Sequence, residues 1–189
     1  MIGVVVLAAG RSRRLGRPKQ LVRWRGESLV RRACRLALAV QPDDAVLVVG
    51  HLADAIVREV ADLPVRPVRA VHWEEGMGSS LREGVQALHE GCTGVVILLC
   101  DQYALPVTHV CDLVETWHRS PLRAVASRYG DCIGVPAVLP RSWLENAGLS
   151  GERGARFLLQ ERMDQVTPIV CEELANDLDV PEDLTSEFG

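Results

Sequence analysis

Residues 2–19 read IGVVVLAAGRSRRLGRPK, and this stretch decides the fold. It begins with a continuous run of β-branched and leucine residues at Ile2–Leu7, which is typical of a parallel strand buried on both faces. Two alanines, a glycine and a series of arginines follow. Small residues let a ligand approach the backbone, while turn amides and guanidinium groups attract anionic oxygens. The stretch therefore predicts a buried strand that ends at an anion site.

The rest of the chain alternates short apolar runs with segments of helical periodicity. The apolar runs predict further strands at Ala45–Val49, Val65–Val71, Val95–Leu99, Leu122–Ser127, Val135–Leu139 and Gln165–Val170. Helical spacing predicts helices at Leu29–Ala39, Ala53–Val60, Val107–Trp117 and Ala155–Glu161, with one more that begins near Ser80. The alternation indicates a three-layer α/β/α fold with a mostly parallel, Rossmann-like sheet, and the less regular second half predicts an antiparallel edge.

The helix near Ser80 carries its own start signal. Ser80 and Glu83 have the spacing of a capping box, in which each side chain bonds a backbone amide of the first turn. The chain shows no linker or internal repeat, so we expect residues 1–189 to form a single domain. Ligands of open α/β sheets bind at the carboxyl ends of the strands. Functional residues are therefore expected in the segments that follow the predicted strands.

Charge is distributed unevenly along the chain. Its formal net charge is -4, yet residues 11–35 contain ten basic residues and one acid, Glu27. A local positive cluster in an acidic protein favours a small polyanionic ligand over a long nucleic acid. For Arg31, Arg32 and Arg35 we expect a solvated helix face instead of a binding role.

The six cysteines show neither C-x-x-C pairs nor zinc-finger spacing. Most lie in apolar runs, where cysteine behaves as a small hydrophobic residue, so reduced thiols in a cytoplasmic protein are expected. The apolar start of the chain is followed, not preceded, by basic residues, which is the reverse of a secretory signal. No apolar run is long enough to span a bilayer. The oligomeric state is left open, and a monomer is compatible with the sequence.

Lys19 distinguishes the first loop from an ordinary glycine-containing turn. The loop is neither a Walker A motif nor G-x-G-x-x-G. The chain has 21 basic residues, of which Lys19 is the single lysine. A lysine kept among arginines indicates a site that needs a compact ammonium group and not a planar fork.

The segment Leu7–Lys19 resembles the L-A-A-G-x-S-x-R-x-G-x-P-K signature of MobA-like nucleotidyltransferases. Its Ala8-Ala9-Gly10 variant is most similar to the molybdopterin cytidylyltransferase branch, since the guanylyltransferase branch typically has Ala-Gly-Gly. The resemblance implies a fold like that of nucleotide-diphospho-sugar transferases. It also implies a nucleotide site formed by Leu7, Ala8, Ala9, Gly10, Arg11, Ser12, Gly16, Lys19, Gly78, Ser79 and Ser80.

The resemblance extends through Trp73–Leu81, which is similar to the family segment W-x-x-G-M-x-x-S-L that helps hold the nucleotide. Gly76 and Gly78 would allow close backbone approach, and the helix start would offer free amides. The family usually has Asn three residues before the tryptophan, where this chain has Ala70.

Two aspartates are implied as metal ligands. Asp101 follows a predicted buried strand and matches the family's D-Q-P metal site, although Tyr103 replaces the proline. Residues 176–184 resemble the family's D-x-D-T-P-E-D-L ending, in which Asp179 would be the second ligand and Asp177 a poorer one. Carboxylates over a phosphate site suit Mg²⁺. Val180 stands where the family has a helix-capping threonine.

The acceptor side resembles the family less closely. Residues 129–136 and 151–156 are similar to Y-x-G-x-x-G-H-P and G-D-x-G-A-R, with Val135 in place of histidine and Glu152 in place of aspartate. The resemblance implies acceptor contacts from Gly134, Pro136, Gly154 and Arg156.

The resemblance therefore implies transfer of CMP from CTP to molybdopterin, with release of pyrophosphate. Lys19 and Arg14 would stabilise charge on the phosphates, while Asp101 and Asp179 would hold Mg²⁺. A guanylyltransferase, a sugar-phosphate nucleotidyltransferase and a non-catalytic nucleotide-binding regulatory module remain alternatives. The implied partners are a nucleoside triphosphate and a phosphorylated small molecule, without nucleic acid or membrane.

Overall fold

The computed structural model describes residues 1–175 together with residues 178, 183 and 188. Nine strands are present in these residues: β1 (Ile2–Ala8), β2 (Arg23–Trp24), β3 (Glu27–Ser28), β4 (Asp44–Val49), β5 (Arg66–Arg69), β6 (Gly94–Leu99), β7 (Ala124–Tyr129), β8 (Cys132–Pro140) and β9 (Val166–Val170). The α-helices are α1 (Leu29–Ala39), α2 (Ala53–Glu59), α3 (Met77–Ala87), α4 (Val107–Arg119), α5 (Arg141–Glu145) and α6 (Ala155–Glu161). None of these helices combines the length and apolar character needed to cross a membrane.

Seven of the strands form one sheet in the order β5-β4-β1-β6-β8-β7-β9. β1 lies between β4 and β6 and pairs in parallel with both, with Val5 opposite Val46 and Ile97. Every residue of β1 is buried, as expected for a central strand. β2 and β3 form a separate two-stranded hairpin after the first loop.

The expected fold, with three layers and a mostly parallel sheet, is confirmed. Its antiparallel member, β8, is not at an edge but pairs antiparallel with both β6 and β7. β9 lies outside β7 and runs parallel to it. β8 is buried over most of its length because helices cover both faces of the sheet at this position.

Two apolar cores lie on opposite faces of the sheet. Alternate residues of β1 divide between them: Val4 and Val6 pack with α1, α2 and α4, whereas Val5 and Leu7 pack with α3, α5 and α6. This alternation follows from the two-residue period of a strand. The two cores hold the carboxyl ends of β1 and β6 side by side.

The start of α3 differs from the sequence prediction. The helix begins at Met77, and the capping box predicted at Ser80 and Glu83 is absent. Glu83 instead accepts hydrogen bonds from the backbone amides of Val71 and His72, at 2.7 and 2.9 Å. Because those amides belong to the segment before the helix, Glu83 fixes the approach to α3 and not its first turn.

The basic face of α1 is only partly the solvated surface expected. Arg31 pairs with Asp62 and Arg35 with Glu27 at the surface. Arg32 is half-buried, and its guanidinium group donates to the carbonyl oxygens of residues 103 and 105 at 2.7 and 2.8 Å. Burial lowers the pKa of Arg32. Its role is to hold the loop that follows β6.

Candidate active site

A cavity of about 450 Å³ opens at the carboxyl ends of β1 and β6. We call it the main cavity. Its walls come from the first loop, from the start of α3, from the end of β6 and from the loop before α6. The lining residues are Leu7, Ala8, Ala9, Gly10, Arg11, Ser12, Arg13, Arg14, Leu15, Lys19, Gln20, Trp73, Glu74, Gly76, Met77, Ser80, Leu99, Cys100, Asp101 and Glu152.

Lys19 and Asp101 meet in this cavity although 82 residues separate them in the chain. The ammonium nitrogen of Lys19 lies 2.5 Å from Oδ2 of Asp101. Both side chains are about one-fifth exposed, so the pair is accessible from the cavity without being fully solvated. This arrangement places one positive and one negative group where a charged ligand can contact both.

The second oxygen of Asp101 has an unused capacity to bind. Oδ1 is buried and has no hydrogen-bond partner among the described residues. A buried carboxylate oxygen without a partner is costly unless a cation or donor reaches it. The oxygen chemistry of this side chain fits a divalent cation.

No group of three or more potential metal ligands is found in the described part of the chain. Asp179 and Asp177, the other aspartates considered, lie outside the described residues. Leu178 is described, and it contacts both Lys19 and Asp101. Its carbonyl oxygen lies 3.4 Å from Nζ of Lys19, and its amide donates to the backbone oxygen of Asp101 at 3.4 Å.

Gln20 ties the first loop into one conformation. It is buried, and its amide nitrogen donates to the carbonyl oxygens of Ala8 at 3.1 Å and Gly10 at 2.8 Å. Oε1 of Gln20 accepts from the Ser12 hydroxyl at 3.4 Å, and the same hydroxyl accepts from the Lys19 amide at 3.0 Å. These bonds hold Ser12 in the left-handed region, at φ 52°. The loop is therefore ordered by a neutral side chain that adds no charge to the cavity.

Positive charge in the cavity comes from the first loop. Arg11, Arg13 and Arg14 line it together with Lys19. Arg11 also forms an ion pair with Glu74, and its guanidinium carbon lies 4.9 Å from the centre of a Trp73 ring. The polyanionic ligand predicted from the basic cluster thus has a matching concave surface.

Two of the expected nucleotide contacts lie outside the lining of the main cavity. Gly78 and Ser79 do not line the main cavity. A Cβ atom on Gly78 would lie 2.3 Å from the carbonyl oxygen of Arg153, and the Gly78 amide donates to Gly151 at 2.7 Å. Ser79 is fully buried between Glu75 and Gly151. Gly78 and Ser79 join α3 to the 151–153 loop, whereas the next residue, Ser80, lines the cavity.

The remaining predicted residues divide between several places. Gly16, at φ 73°, lies outside the cavity lining. Of the four predicted acceptor contacts, Arg156 lines a second cavity, which is described below. The other three, Gly134, Pro136 and Gly154, line neither cavity. The Pro136 carbonyl accepts from the buried hydroxyl of Ser127. The acceptor residues suggested by resemblance are therefore not gathered into one wall.

Cys100 lines the cavity, but its buried environment disfavours the thiolate. Burial raises the pKa of Cys100 well above its ordinary value. The thiol donates to the Leu7 carbonyl at 3.4 Å. A thiol held neutral reacts poorly, so the cavity favours chemistry without a covalent intermediate on this residue.

The sequence did not single out Gln20 or Arg13 as site residues. Gln20 follows Lys19 directly and precedes the apolar pair Leu21 and Val22. A polar residue in such a position signals burial with specific partners, but those partners are carbonyl groups whose position only the folded loop defines.

The fold and the site define a nucleotide-binding α/β protein, with a parallel strand that ends in a basic, glycine-containing loop. A family model described as MobA-like NTP transferase domain matches residues 4–166. The chain belongs to the MobA-like NTP transferase family.

Two relatives match nearly the whole chain. Nicotine blue oxidoreductase from Paenarthrobacter nicotinovorans is 35% identical over 193 residues, covering 95% of this chain and 93% of that protein. Molybdenum cofactor guanylyltransferase from Pseudomonas fluorescens is 31% identical over 203 residues, covering 98% and 93%.

A solved structure gives the same architecture. Rv0371c from Mycobacterium tuberculosis H37Rv superposes with a TM-score of 0.81 at 29% identity, covering 96% of this chain and 94% of that one. A structure of Rv0371c in complex with manganese superposes with a TM-score of 0.73 at 26% identity, covering 90% of this chain and 88% of that one.

Proposed function

We propose that this protein transfers CMP from CTP to molybdopterin, releases pyrophosphate, and so acts in molybdenum cofactor biosynthesis. The observation that carries the proposal is the Lys19–Asp101 pair in the main cavity, with Oδ1 of Asp101 buried and without a partner among the described residues. The Ala8-Ala9-Gly10 sequence favours CTP as donor.

In the proposed reaction, a phosphate oxygen of the acceptor attacks the α-phosphorus of the triphosphate. The new P–O bond forms as the bond between the α-phosphorus and the bridging oxygen breaks, and the electron pair leaves with pyrophosphate. Lys19 and Arg14 would stabilise the negative charge on these groups. The first-loop backbone, held by Gln20, would position the triphosphate.

Mg²⁺ is the proposed metal, with Asp101 and Asp179 as its ligands. The cation would supply positive charge to the phosphate oxygens, as in other phosphoryl-transfer enzymes. The unpartnered Oδ1 of Asp101 and the manganese complex of Rv0371c support a divalent cation.

Two comparisons favour different donors or reactions. The guanylyltransferase relative supports GTP as the second candidate donor. The relative named as an oxidoreductase shows that family likeness alone does not fix the reaction. The choice of a transferase for this chain therefore depends on the Lys19–Asp101 geometry, which suits charge stabilisation on phosphates.

Thermal unfolding with Mg²⁺ and each of CTP, GTP, ATP and UTP tests the donor. A ligand at a hundred times its dissociation constant stabilises the folded state by about 2.7 kcal/mol. We expect a clear increase in Tm with CTP that requires Mg²⁺. An increase with GTP alone would retain the transferase and replace the donor, whereas no increase with any triphosphate would contradict the proposal.

The variant Asp101→Asn tests the metal assignment. It keeps the size of the side chain but removes the charge that a cation needs, so turnover should be lost while the unfolding transition without ligand stays cooperative. Asp164→Asn is the matched control, because Asp164 is exposed and its carboxylate makes no hydrogen bond within the described residues. Retained transfer of CMP by Asp101→Asn would rule out this role for Asp101.

A further inference from the structure

A second cavity, of about 290 Å³, lies at the tip of the β7–β8 hairpin. α6 and the turn after it form its other side. Its lining residues are Arg128, Gly130, Asp131, Cys132, Ile133, Arg156, Gln160 and Met163. Together they present two guanidinium groups, one carboxylate, one amide, one thiol and two apolar side chains.

Neither arginine of this cavity pairs with a carboxylate among the described residues. By contrast, seven arginines elsewhere in the described residues do so: Arg11, Arg23, Arg31, Arg35, Arg66, Arg69 and Arg141. Arg128 makes no side-chain hydrogen bond or ion pair with the described residues. Arg156 makes one contact among them, to the sulfur of Cys132 at 3.5 Å. The second cavity therefore brings together two guanidinium groups that no carboxylate among the described residues pairs with.

The rest of the lining leaves the two arginines available to a small anion. Asp131 is the one acid, and it forms no ion pair with the described residues, so the lining carries a formal charge of +1. Gln160 adds neutral hydrogen-bonding groups, and the apolar part of the lining is Ile133, which is partly buried, and Met163, which is exposed. Guanidinium forks bind phosphate and carboxylate through paired, charge-assisted hydrogen bonds.

The second cavity lies at the same end of the sheet as the main cavity. The β8 strand begins at Cys132, and three residues later the Val135 carbonyl accepts from the Gln102 amide at 2.7 Å, directly after Asp101. The segment 152–156 also connects the two, because Glu152 lines the main cavity and Arg156 the second. The two cavities are therefore linked through the start of β8 and the segment 152–156.

We propose that the second cavity is a binding site for a small oxyanion, held by Arg128 and Arg156, and distinct from the nucleotide site. The oxyanion is phosphate-like or carboxylate-like. It is either the phosphate of the acceptor, held here before transfer, or an oxyanion free in solution. The site goes beyond the proposed function and does not depend on the identity of the donor nucleotide.

Cys132 provides a direct reporter, because its partly exposed thiol lines the cavity. The rate of its alkylation by iodoacetamide, followed by mass spectrometry, should fall as inorganic phosphate is added at constant ionic strength with sodium chloride. Cys111, which is also partly exposed but lies on α4, is the internal control and should react at an unchanged rate. Saturating CTP and Mg²⁺ should leave the protection of Cys132 in place.

Arg128→Gln and Arg156→Gln should each raise the phosphate concentration needed for half-protection by about tenfold, since each loses charge-assisted hydrogen bonds. Each variant is compared with its own unprotected rate, because Arg156 contacts the Cys132 sulfur. Arg119→Gln removes the same charge from an exposed position at the end of α4 and should behave as wild type.

Molybdopterin forms the second arm of the experiment. Protection of Cys132 by molybdopterin at concentrations where phosphate has no effect would assign the oxyanion to the acceptor. Protection by phosphate alone would assign a free oxyanion. If neither compound slows the alkylation of Cys132 more than that of Cys111, the proposal is wrong, whether or not the triphosphates bind in the main cavity.

Discussion

Lys19 shows how a single residue can indicate a site from sequence alone. It is the one lysine among 21 basic residues, and the structure places its ammonium group 2.5 Å from Asp101. The ammonium also reaches the Leu178 carbonyl at 3.4 Å. These contacts use a compact, freely oriented cation, which agrees with the reason given for its retention.

Lys19→Arg should lower kcat for CMP transfer and change the affinity for CTP less. The variant keeps the charge, but its planar fork cannot occupy the position of the ammonium between Asp101 and Leu178. Steady-state kinetics with Mg²⁺ give both parameters. Arg17→Lys, the reverse exchange at an exposed loop position outside the cavity lining, should leave both unchanged. A wild-type kcat in Lys19→Arg would mean that the lone lysine is incidental.

Gln20→Met should weaken the binding of CTP by about tenfold, because loss of the amide frees the Ala8 and Gly10 carbonyls and loosens the loop. The KM for CTP should rise more than kcat falls, since Gln20 positions the loop and does not contact the reacting atoms. Gln86→Met, at an exposed position of α3, is the matched control. An unchanged KM together with a lowered Tm would show that Gln20 serves stability alone.

At this scale the sequence predicted most of the first-loop residues that line the cavity, but not Gln20, which orders the loop. Ten of the predicted site residues line the main cavity: Leu7, Ala8, Ala9, Gly10, Arg11, Ser12, Arg14, Lys19, Ser80 and Asp101. Their catalytic and binding roles stay predictions. Gln20 was missed because its partners are backbone carbonyls, whose position depends on the three-dimensional course of the loop.

At the scale of elements, the contact between α3 and the 151–153 loop closes one side of the main cavity. The paired glycines of the motif serve this contact. A Cβ atom on Gly76 would lie 2.4 Å from the carbonyl oxygen of Gly151, and Gly76 has a φ of 132° that other residues rarely adopt. The sequence predicted close backbone approach to a ligand, which stays a prediction; the structure shows close approach to the protein's own loop.

Gly78→Ala distinguishes this packing role from simple helix propensity. Alanine in a helix is more favourable than glycine by about 1 kcal/mol. The steric conflict with the backbone of Arg153 should reverse the sign and lower the free energy of unfolding by about 1–3 kcal/mol. Urea denaturation measures the difference.

Gly154→Ala is the control for this experiment. A Cβ atom there would meet Met77 at 3.8 Å, an ordinary contact, so its stability should stay close to that of wild type. A more stable Gly78→Ala protein would show that the loop moves away without cost.

Strand and helix positions were predicted well where periodicity is strong, as in α1, which spans Leu29–Ala39 as expected. The position of β8 within the sheet was not predicted. A run of apolar residues reports that a strand is buried, but not which strands flank it or in which direction it runs. The order around β8 depends on its pairing with β6 and β7, which no local pattern encodes.

At the scale of the whole molecule, a buried polar chain joins α4 to the sheet. Nε2 of His109 lies 2.8 Å from the Ser127 hydroxyl, which donates to the Pro136 carbonyl at 2.7 Å. Because the Ser127 hydroxyl donates its proton to Pro136, Nε2 of His109 carries a proton and donates to the Ser127 oxygen. Burial lowers the pKa of His109, and nearby Asp112 and Glu173 oppose this effect only in part.

The pH dependence of stability follows from this shift. With a folded-state pKa below 6.5, His109 takes up its proton more readily in the unfolded chain, so the free energy of unfolding should fall as the pH decreases from 7 to 5. His109→Gln removes the titrating group and should flatten this slope, whatever its absolute stability. His118→Gln, an exposed histidine of the same helix, should retain the wild-type slope. Equal slopes in wild type and His109→Gln would contradict the assignment.

The sequence also predicted the architecture of the molecule, because alternating strands and helices permit few layered arrangements. The single-domain organisation of residues 1–189 stays a prediction. The identity of the donor base could not be derived in the same way, since discrimination between bases depends on individual hydrogen-bonding groups and not on periodicity.

Because β8 is an internal strand, the two cavities lie in different parts of the sheet. The parallel half, β5-β4-β1-β6, ends in the main cavity, and the half built on β8, β7 and β9 carries the second cavity. The two halves are joined through the pairing of one strand with β6. Side chains at the hairpin tip can therefore diverge without disturbing the first loop. Such modularity allows the residues of one cavity to change while those of the other are kept. It is compatible with relatives whose names describe different reactions.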